Sequence, residues 1–235
     1  MIFDALADGP PDGRVVVLLH GFPQTARSWR GVLPRLAAAG HRVIAPDLRG
    51  YSPRARSGPY DVRTLVGDVL AFTDGPFDLV GHDWGAAIAW QTAIRHPERV
   101  RTLTAVSVPH PLAFTHALRT DDDQRARSKY MRRWAEGDAP DLAPPEDMAP
   151  PEAVAAGIEY YKAASARDLE GLGPVTVPTL YVWSTEDDAL GPVAAELTAS
   201  YVDAPYRFVV LEGVDHWIPE REPERLAEAI LEHLA

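Results

Sequence analysis

Residues 77–93 read FDLVGHDWGAAIAWQTA, and the rest of the chain is organised around them. Phe77, Leu79 and Val80 make a short apolar run suited to a buried strand. Residues 86–93, AAIAWQTA, read as a helix. Between them lies Gly81-His82-Asp83-Trp84-Gly85, a glycine-flanked turn with a carboxylate at its centre. A strand that turns this sharply into a helix strains its central residue and lifts that side chain out of the sheet. The residues two places away must then lack a Cβ, or strand and helix collide. Gly81 and Gly85 meet that demand, and Ala86 and Ala87 let the helix start pack closely. The positive end of the helix favours an anion, so Asp83 is expected to stay ionised and to serve as a nucleophile. The plainer alternative is an aspartate that merely caps the helix.

The chain has 235 residues, 46% of them hydrophobic, enough for one α/β domain with a sizeable core. A net charge of −11 without any basic cluster argues against nucleic acid or an anionic membrane as partner. No stretch approaches the length of a membrane span. Residues 1–13, MIFDALADGPPDG, lack the basic region and apolar run of a signal peptide. With no cysteine, disulfides, thiol chemistry and cysteine-ligated zinc are excluded. A cytoplasmic protein, monomeric or homodimeric, is the expectation.

Outward from the central stretch, strands and helices alternate. Residues 1–6 suit a short edge strand, and the aliphatic run 15–19 suits a strand buried on both faces. A helix is expected over 28–39, with Trp29, Val32, Leu33 and Leu36 at helical spacing and Gly40 as its stop. Residues 43–45 form the next strand, 48–60 a loop rich in Gly, Pro and Arg, and 62–72 a helix. A strand over 100–108 closes at Pro109-His110-Pro111. The alternation then lapses until about Gly173. Within that interval Thr120 is expected to cap a helix over 121–136, and residues 139–150 form a proline-rich connection without regular structure. Pro151 opens a helix to about Ala166. Strands over 179–183 and 207–211 and helices over 192–200 and 223–234 complete the chain. This order predicts an α/β fold with a mostly parallel sheet covered by helices on both faces. The core comprises residues 1–108 and 174–235, and residues 109–173 form a small helical cap.

If Asp83 attacks carbon, it forms an ester that is inert until a base activates water. His216, in Gly213-Val214-Asp215-His216-Trp217 directly after a strand, is the candidate base. A carboxylate must hold its tautomer, and Ser184-Thr185-Glu186-Asp187-Asp188 follows the preceding strand. Asp187 is the choice and Asp188 the rival. The oxyanion of ester hydrolysis needs backbone N–H donors. Trp84, next to the nucleophile, supplies one, and Phe22 of His20-Gly21-Phe22-Pro23 the other. Pro23 shapes that loop, through a cis bond in one version, and His20 reads as a buried hydrogen-bonding residue.

HGFPQ, RGYSPRAR, GHDWGA and GVDHW, in this order, resemble the α/β-hydrolase fold and within it the epoxide hydrolases. The resemblance covers nearly the whole chain. It implies conversion of an epoxide to a vicinal diol, without metal or organic cofactor, with a small apolar epoxide and water as partners. It also implies two cap tyrosines that donate to the epoxide oxygen. Gly157-Ile158-Glu159-Tyr160-Tyr161-Lys162 is similar to the family's G-L-N-W-Y-R and puts Tyr161 in that role, while Ser128-Lys129-Tyr130-Met131 puts Tyr130 beside it. Tyr160 reads as a packing residue. The alternative is a hydrolytic haloalkane or haloacid dehalogenase using the same aspartate. Haloalkane dehalogenases typically carry Asn or Glu where this chain has Phe22, and fluoroacetate dehalogenases typically follow the nucleophile with Arg where it has Trp84. A non-catalytic ligand-binding protein on this fold is a third reading. The chain departs from the family in a shorter cap between the tyrosines and in a late start relative to the family's first strand.

Overall fold

The computed structural model describes residues 3–138 and 149–235. Among them, seven strands form one sheet in the order β1-β3-β2-β4-β5-β6-β7. They are β1 (Ala5–Asp8), β2 (Val15–Leu19), β3 (Arg42–Pro46), β4 (Phe77–His82), β5 (Val100–Val106), β6 (Thr179–Ser184) and β7 (Tyr206–Leu211). All neighbours pair in parallel except β1, which runs antiparallel along β3. The expected edge strand over 1–6 thus forms at Ala5–Asp8, and Met1 and Ile2 lie outside the described residues.

Alternate residues of the central strands enter two separate cores, as a sheet covered on both faces requires. Val16, Leu18, Val80, Val106, Leu180 and Val182 pack with α1 (Leu33–Ala38) and with the final helix at Pro223–Leu234. That final helix buries Leu226, Ile230 and Leu234, one stripe spaced four residues apart. Val17, Leu19, Leu79, Leu103, Tyr181 and Trp183 face the other way, towards α2 (Val62–Leu70) and α3 (Trp84–Arg95).

Several boundaries differ from the sequence expectation. Residues 28–39 are not one helix: a 3₁₀ segment, Ala26–Gly31, precedes α1. Pro34 lacks the N–H needed to continue a helix but fits the first turn of a new one. Strand β5 stops at Val106, because Ser107 adopts φ 65°. The expected helix over 121–136 is two helices, α5 (Asp122–Arg127) and α6 (Lys129–Ala135). Asp121, not Thr120, caps the first, accepting from the N–H groups of Asp123 and Gln124. A further helix, α4 (Pro111–Thr120), was not expected at all. Pro109-His110-Pro111 reads as a break, yet Pro111 opens α4 and His110 Nδ1 accepts from Leu112 N–H at 3.2 Å.

The helix begun by Pro151 is α7 (Pro151–Ala163), followed by a 3₁₀ turn at Ala166–Leu169. Residues 139–148 of the proline-rich connection lie outside the described residues. Helix α8 (Pro192–Leu197) ends in a 3₁₀ turn, and α9 (Ile218–Arg221) precedes α10 (Pro223–Leu234). Helix α7 lies over the sheet's carboxyl edge. Its Tyr160 hydroxyl donates to Arg49 C=O at 2.6 Å, and the Tyr160 ring meets Trp84 edge-on at 5.5 Å, a packing role. Among the described residues no helix is long and apolar enough to cross a membrane.

Candidate active site

Asp83 stands between β4 and α3 with φ 51° and ψ −121°, a backbone state that side-chain-bearing residues rarely hold. A Cβ on Gly81 would lie 2.3 Å from Gly85 O, and one on Gly85 2.2 Å from Leu19 O. The tight turn therefore exists only with glycine at both places. The Asp83 side chain makes no capping bond to α3, which removes the plainer alternative. Its Oδ1 accepts instead from the Phe22 N–H at 2.6 Å, across a cis Phe22–Pro23 loop. Trp84 opens α3, so its N–H belongs to the first turn, whose donors the helix itself leaves unmade.

His216 follows β7 and brings Nε2 to 3.6 Å from Asp83 Oδ2. On its far side Nδ1 lies 2.8 Å from Asp187 Oδ2. Asp187 is buried, and its other oxygen accepts from the N–H groups of Ala189 and Leu190, each at 2.9 Å. Asp188 is exposed and takes no part in this chain of contacts. The backbone carbonyl of His216 is itself held. Ser107 Oγ donates to it at 3.1 Å, and His82 Nε2 lies 2.9 Å from it. His20 is buried against the same floor, accepting from Leu48 N–H at 3.0 Å.

The electrostatics follow from this packing. Burial pushes the Asp83 carboxyl up, but the hydrogen bond and charge of His216, the nearby His82 and the Phe22 N–H together hold it below its ordinary value. Burial pushes the His216 imidazole down. The two carboxylates, Asp187 foremost, overcome that and hold it well above the usual histidine value. His82 is lowered to about 4, by burial and then by the charge of His216. Asp83 and His216 thus each favour the charged form of the other.

Two cavities meet at Asp83. The larger, about 460 Å³, has mostly apolar walls that include Val108, Phe114, Leu118 and Met131. The smaller, about 310 Å³, is lined by Phe22, Trp134, His216 and Trp217, with Arg127 and Asp188 on its rim. Tyr130 and Tyr161 line both, with ring centroids 6.2 Å apart. Burial raises both phenols above their usual value, and the Asp83 charge adds to it, so both remain protonated donors. The Tyr161 ring also packs edge-on against Trp84 at 5.1 Å and Phe22 at 5.5 Å. Sequence reasoning missed Ser107 and the α4 wall of the larger cavity. Pro111 after a capping His110 was the signal for α4; a serine at a strand end gave none.

Comparison with known proteins places the fold. The description "Alpha/beta hydrolase family" matches residues 16–229. The chain is 30% identical to the AB hydrolase superfamily protein YfhM of Bacillus subtilis, over 97% of this chain and 92% of that one. It is 29% identical to epoxide hydrolase A of Mycobacterium tuberculosis, over 96% and 92%. A solved structure described as one of novel epoxide hydrolases from metagenomes of hot environments superposes with TM-score 0.86 at 29% identity, over 99% of this chain and 94% of that one. The alignment with YfhM extends over 265 positions although this chain has 235 residues, so that relative carries segments absent here. On the match over residues 16–229, on the parallel sheet and on its glycine-flanked turn, the chain belongs to the alpha/beta hydrolase family.

Proposed function

We propose that the protein is an epoxide hydrolase that opens an epoxide to a vicinal diol through an ester on Asp83. One observation carries the reading: an ionised carboxylate, two protonated phenols and a buried imidazole converge on one largely apolar cavity system. Asp83 Oδ2 attacks an epoxide carbon while Phe22 N–H holds Oδ1. Tyr130 and Tyr161 donate to the epoxide oxygen, and one of them gives up its proton as the ring opens. The ester removes the Asp83 charge, and with it one of the two carboxylates that hold the proton on His216. His216 then releases that proton to solvent, and the neutral imidazole, oriented by Asp187, takes a proton from water as it adds to Asp83 Cγ. His216 regains its resting proton once the Asp83 carboxylate is restored. The Phe22 and Trp84 N–H groups receive the oxyanion. The Cγ–Oδ2 bond breaks, and Oδ2 leaves in the diol.

The tyrosine pair is what favours an epoxide over a halide. An alkoxide leaving group needs a proton donor, whereas a halide leaves without one. The chain works on this reading in the cytoplasm, as a monomer or homodimer, on a small apolar epoxide and water. A single turnover in ¹⁸O-labelled water tests the ester: the first diol carries unlabelled oxygen and Asp83 gains the label. Label in the first diol would overturn it. Chloride release from haloalkanes without diol formation from any epoxide would favour the dehalogenase reading.

A further inference from the structure

The two cavities have three lining residues in common, Asp83, Tyr130 and Tyr161, and otherwise differ in what they offer a reaction. His216 lines the smaller cavity and not the larger. Phe22, whose N–H holds the oxygen that becomes the oxyanion, also lines only the smaller one. The larger cavity brings an apolar group up to the nucleophile and its two proton donors, but offers no base. The smaller combines the base with two charged residues, Arg127 and Asp188, that can hold water beside its aromatic walls of Phe22, Trp134 and Trp217.

We infer that the two cavities divide the reaction: the larger holds the apolar arm of the substrate, and the smaller admits the water that cleaves the ester. The inference rests on the epoxide hydrolase reading and names its substrate class. Substrates are epoxides with one apolar arm, the second carbon bearing hydrogen or a group no larger than methyl. A bulky group on that second carbon would project into the smaller cavity and keep water from His216. The atoms balance on this geometry. Water in the smaller cavity gives one proton to His216 Nε2 and its oxygen to Asp83 Cγ. The Cγ–Oδ2 bond breaks, the departing alkoxide takes the proton from His216, and the remaining water proton restores the tyrosine that protonated the epoxide oxygen.

The test separates ester formation from ester hydrolysis, following both by rapid quench and by protein mass. Asp188→Trp places bulk at the exposed rim of the smaller cavity, Leu118→Trp places it in the larger, and Asp188→Asn controls for charge. With styrene oxide, Asp188→Trp is expected to form the ester at the wild-type rate and hydrolyse it about tenfold or more slowly, so that the adduct accumulates. Leu118→Trp is expected to slow ester formation by a similar factor and leave hydrolysis unchanged, and Asp188→Asn, which removes charge without adding bulk, to slow hydrolysis less than Asp188→Trp does. Wild-type protein with trans-stilbene oxide, which carries a phenyl group on each carbon, is expected to stall as the ester. This arm needs no variant to fold. Equal slowing of both steps by Asp188→Trp, or rapid diol formation from trans-stilbene oxide, would overturn the division of the cavities while leaving the epoxide reading intact. If wild-type protein forms no ester with either epoxide, the epoxide reading fails and the inference falls with it.

Discussion

His216 Nε2 faces Asp83 Oδ2 at 3.6 Å, too close for a water to stand between them. At that distance the charge of each group stabilises the charge of the other directly. Forming the ester breaks that relationship, and the order of the proposed steps depends on it.

The first expectation concerns pH. Asp83 is held below its ordinary value, so ester formation should persist as pH falls through the usual carboxylate range near about 4. Hydrolysis needs neutral His216 and should rise with pH. The ester lacks the Asp83 charge, so the midpoint of that rise should lie below the His216 titration of the free protein, read by NMR. Equal values would mean that Asp83 does not hold the proton. His216→Gln should still form the ester, hydrolyse it about 100-fold or more slowly, and show the adduct as a mass increase.

Replacing the proposed proton donors should act on the first step alone. Tyr130→Phe and Tyr161→Phe should each slow ester formation by about 10- to 100-fold, and the double variant by more than either. Hydrolysis of preformed ester should be nearly unchanged, and single-turnover measurements separate the two. Thermal unfolding should move little, because each phenylalanine keeps its ring contacts.

Two glycines should respond to alanine in opposite directions. Gly67 lies exposed within α2 and an added Cβ would meet nothing within 4 Å, so Gly67→Ala should stabilise by about 0.5–1 kcal/mol through helix propensity. At Gly85 the Cβ would sit 2.2 Å from the Leu19 carbonyl oxygen, which is backbone and cannot rotate away. Gly85→Ala should destabilise by about 1–3 kcal/mol or more and lower ester formation further than stability alone explains. Urea titration and burst kinetics on both variants check this.

Acid should destabilise the fold before the carboxylates titrate. His82 and His110 are each lowered to about 4, with burial the foremost cause. Between about 6.5 and about 4 the unfolded chain binds protons at these positions and the folded chain does not. Their stabilising effect is thus complete above that window and lost as pH falls through it, by up to about 3 kcal/mol each. His216, raised, acts in the opposite sense: its contribution is complete below its unfolded value and disappears as pH rises through the folded one. His110→Phe keeps the stack on Tyr201, whose centroid lies 4.9 Å away, and should flatten the acid limb of the melting-temperature profile. An unchanged acid limb would count against a neutral, buried His110.

The central turn was legible because its rule is steric and local: two glycines and a carboxylate between a strand and a helix leave few other geometries. The positions of His216 and Asp187 could be read because each directly follows an aliphatic strand. What separates Asp187 from Asp188 was not readable, since it depends on the N–H groups of Ala189 and Leu190 turning towards one carboxylate. The wall of the larger cavity was missed for a similar reason. Pro109-His110-Pro111 breaks a strand by local preference, and only the folded chain reveals that a helix follows whose Phe114 and Leu118 line the cavity reaching Asp83. Ser107 carried no mark of its unusual backbone, which arises from three partners around it: Val182 C=O, His216 C=O and the Tyr181 hydroxyl.

Ser107 and Asp83 end the adjacent strands β5 and β4, and both have positive φ, at 65° and 51°. Two conformations that a side-chain-bearing residue resists thus sit next to each other along one rim. Ordinary selection for heat tolerance would remove such tension first, yet relaxing either bend would move the groups proposed to form and break the ester. Gains in robustness for this molecule must come from helices such as α2, and the rim will keep its discomfort for as long as the protein keeps its chemistry.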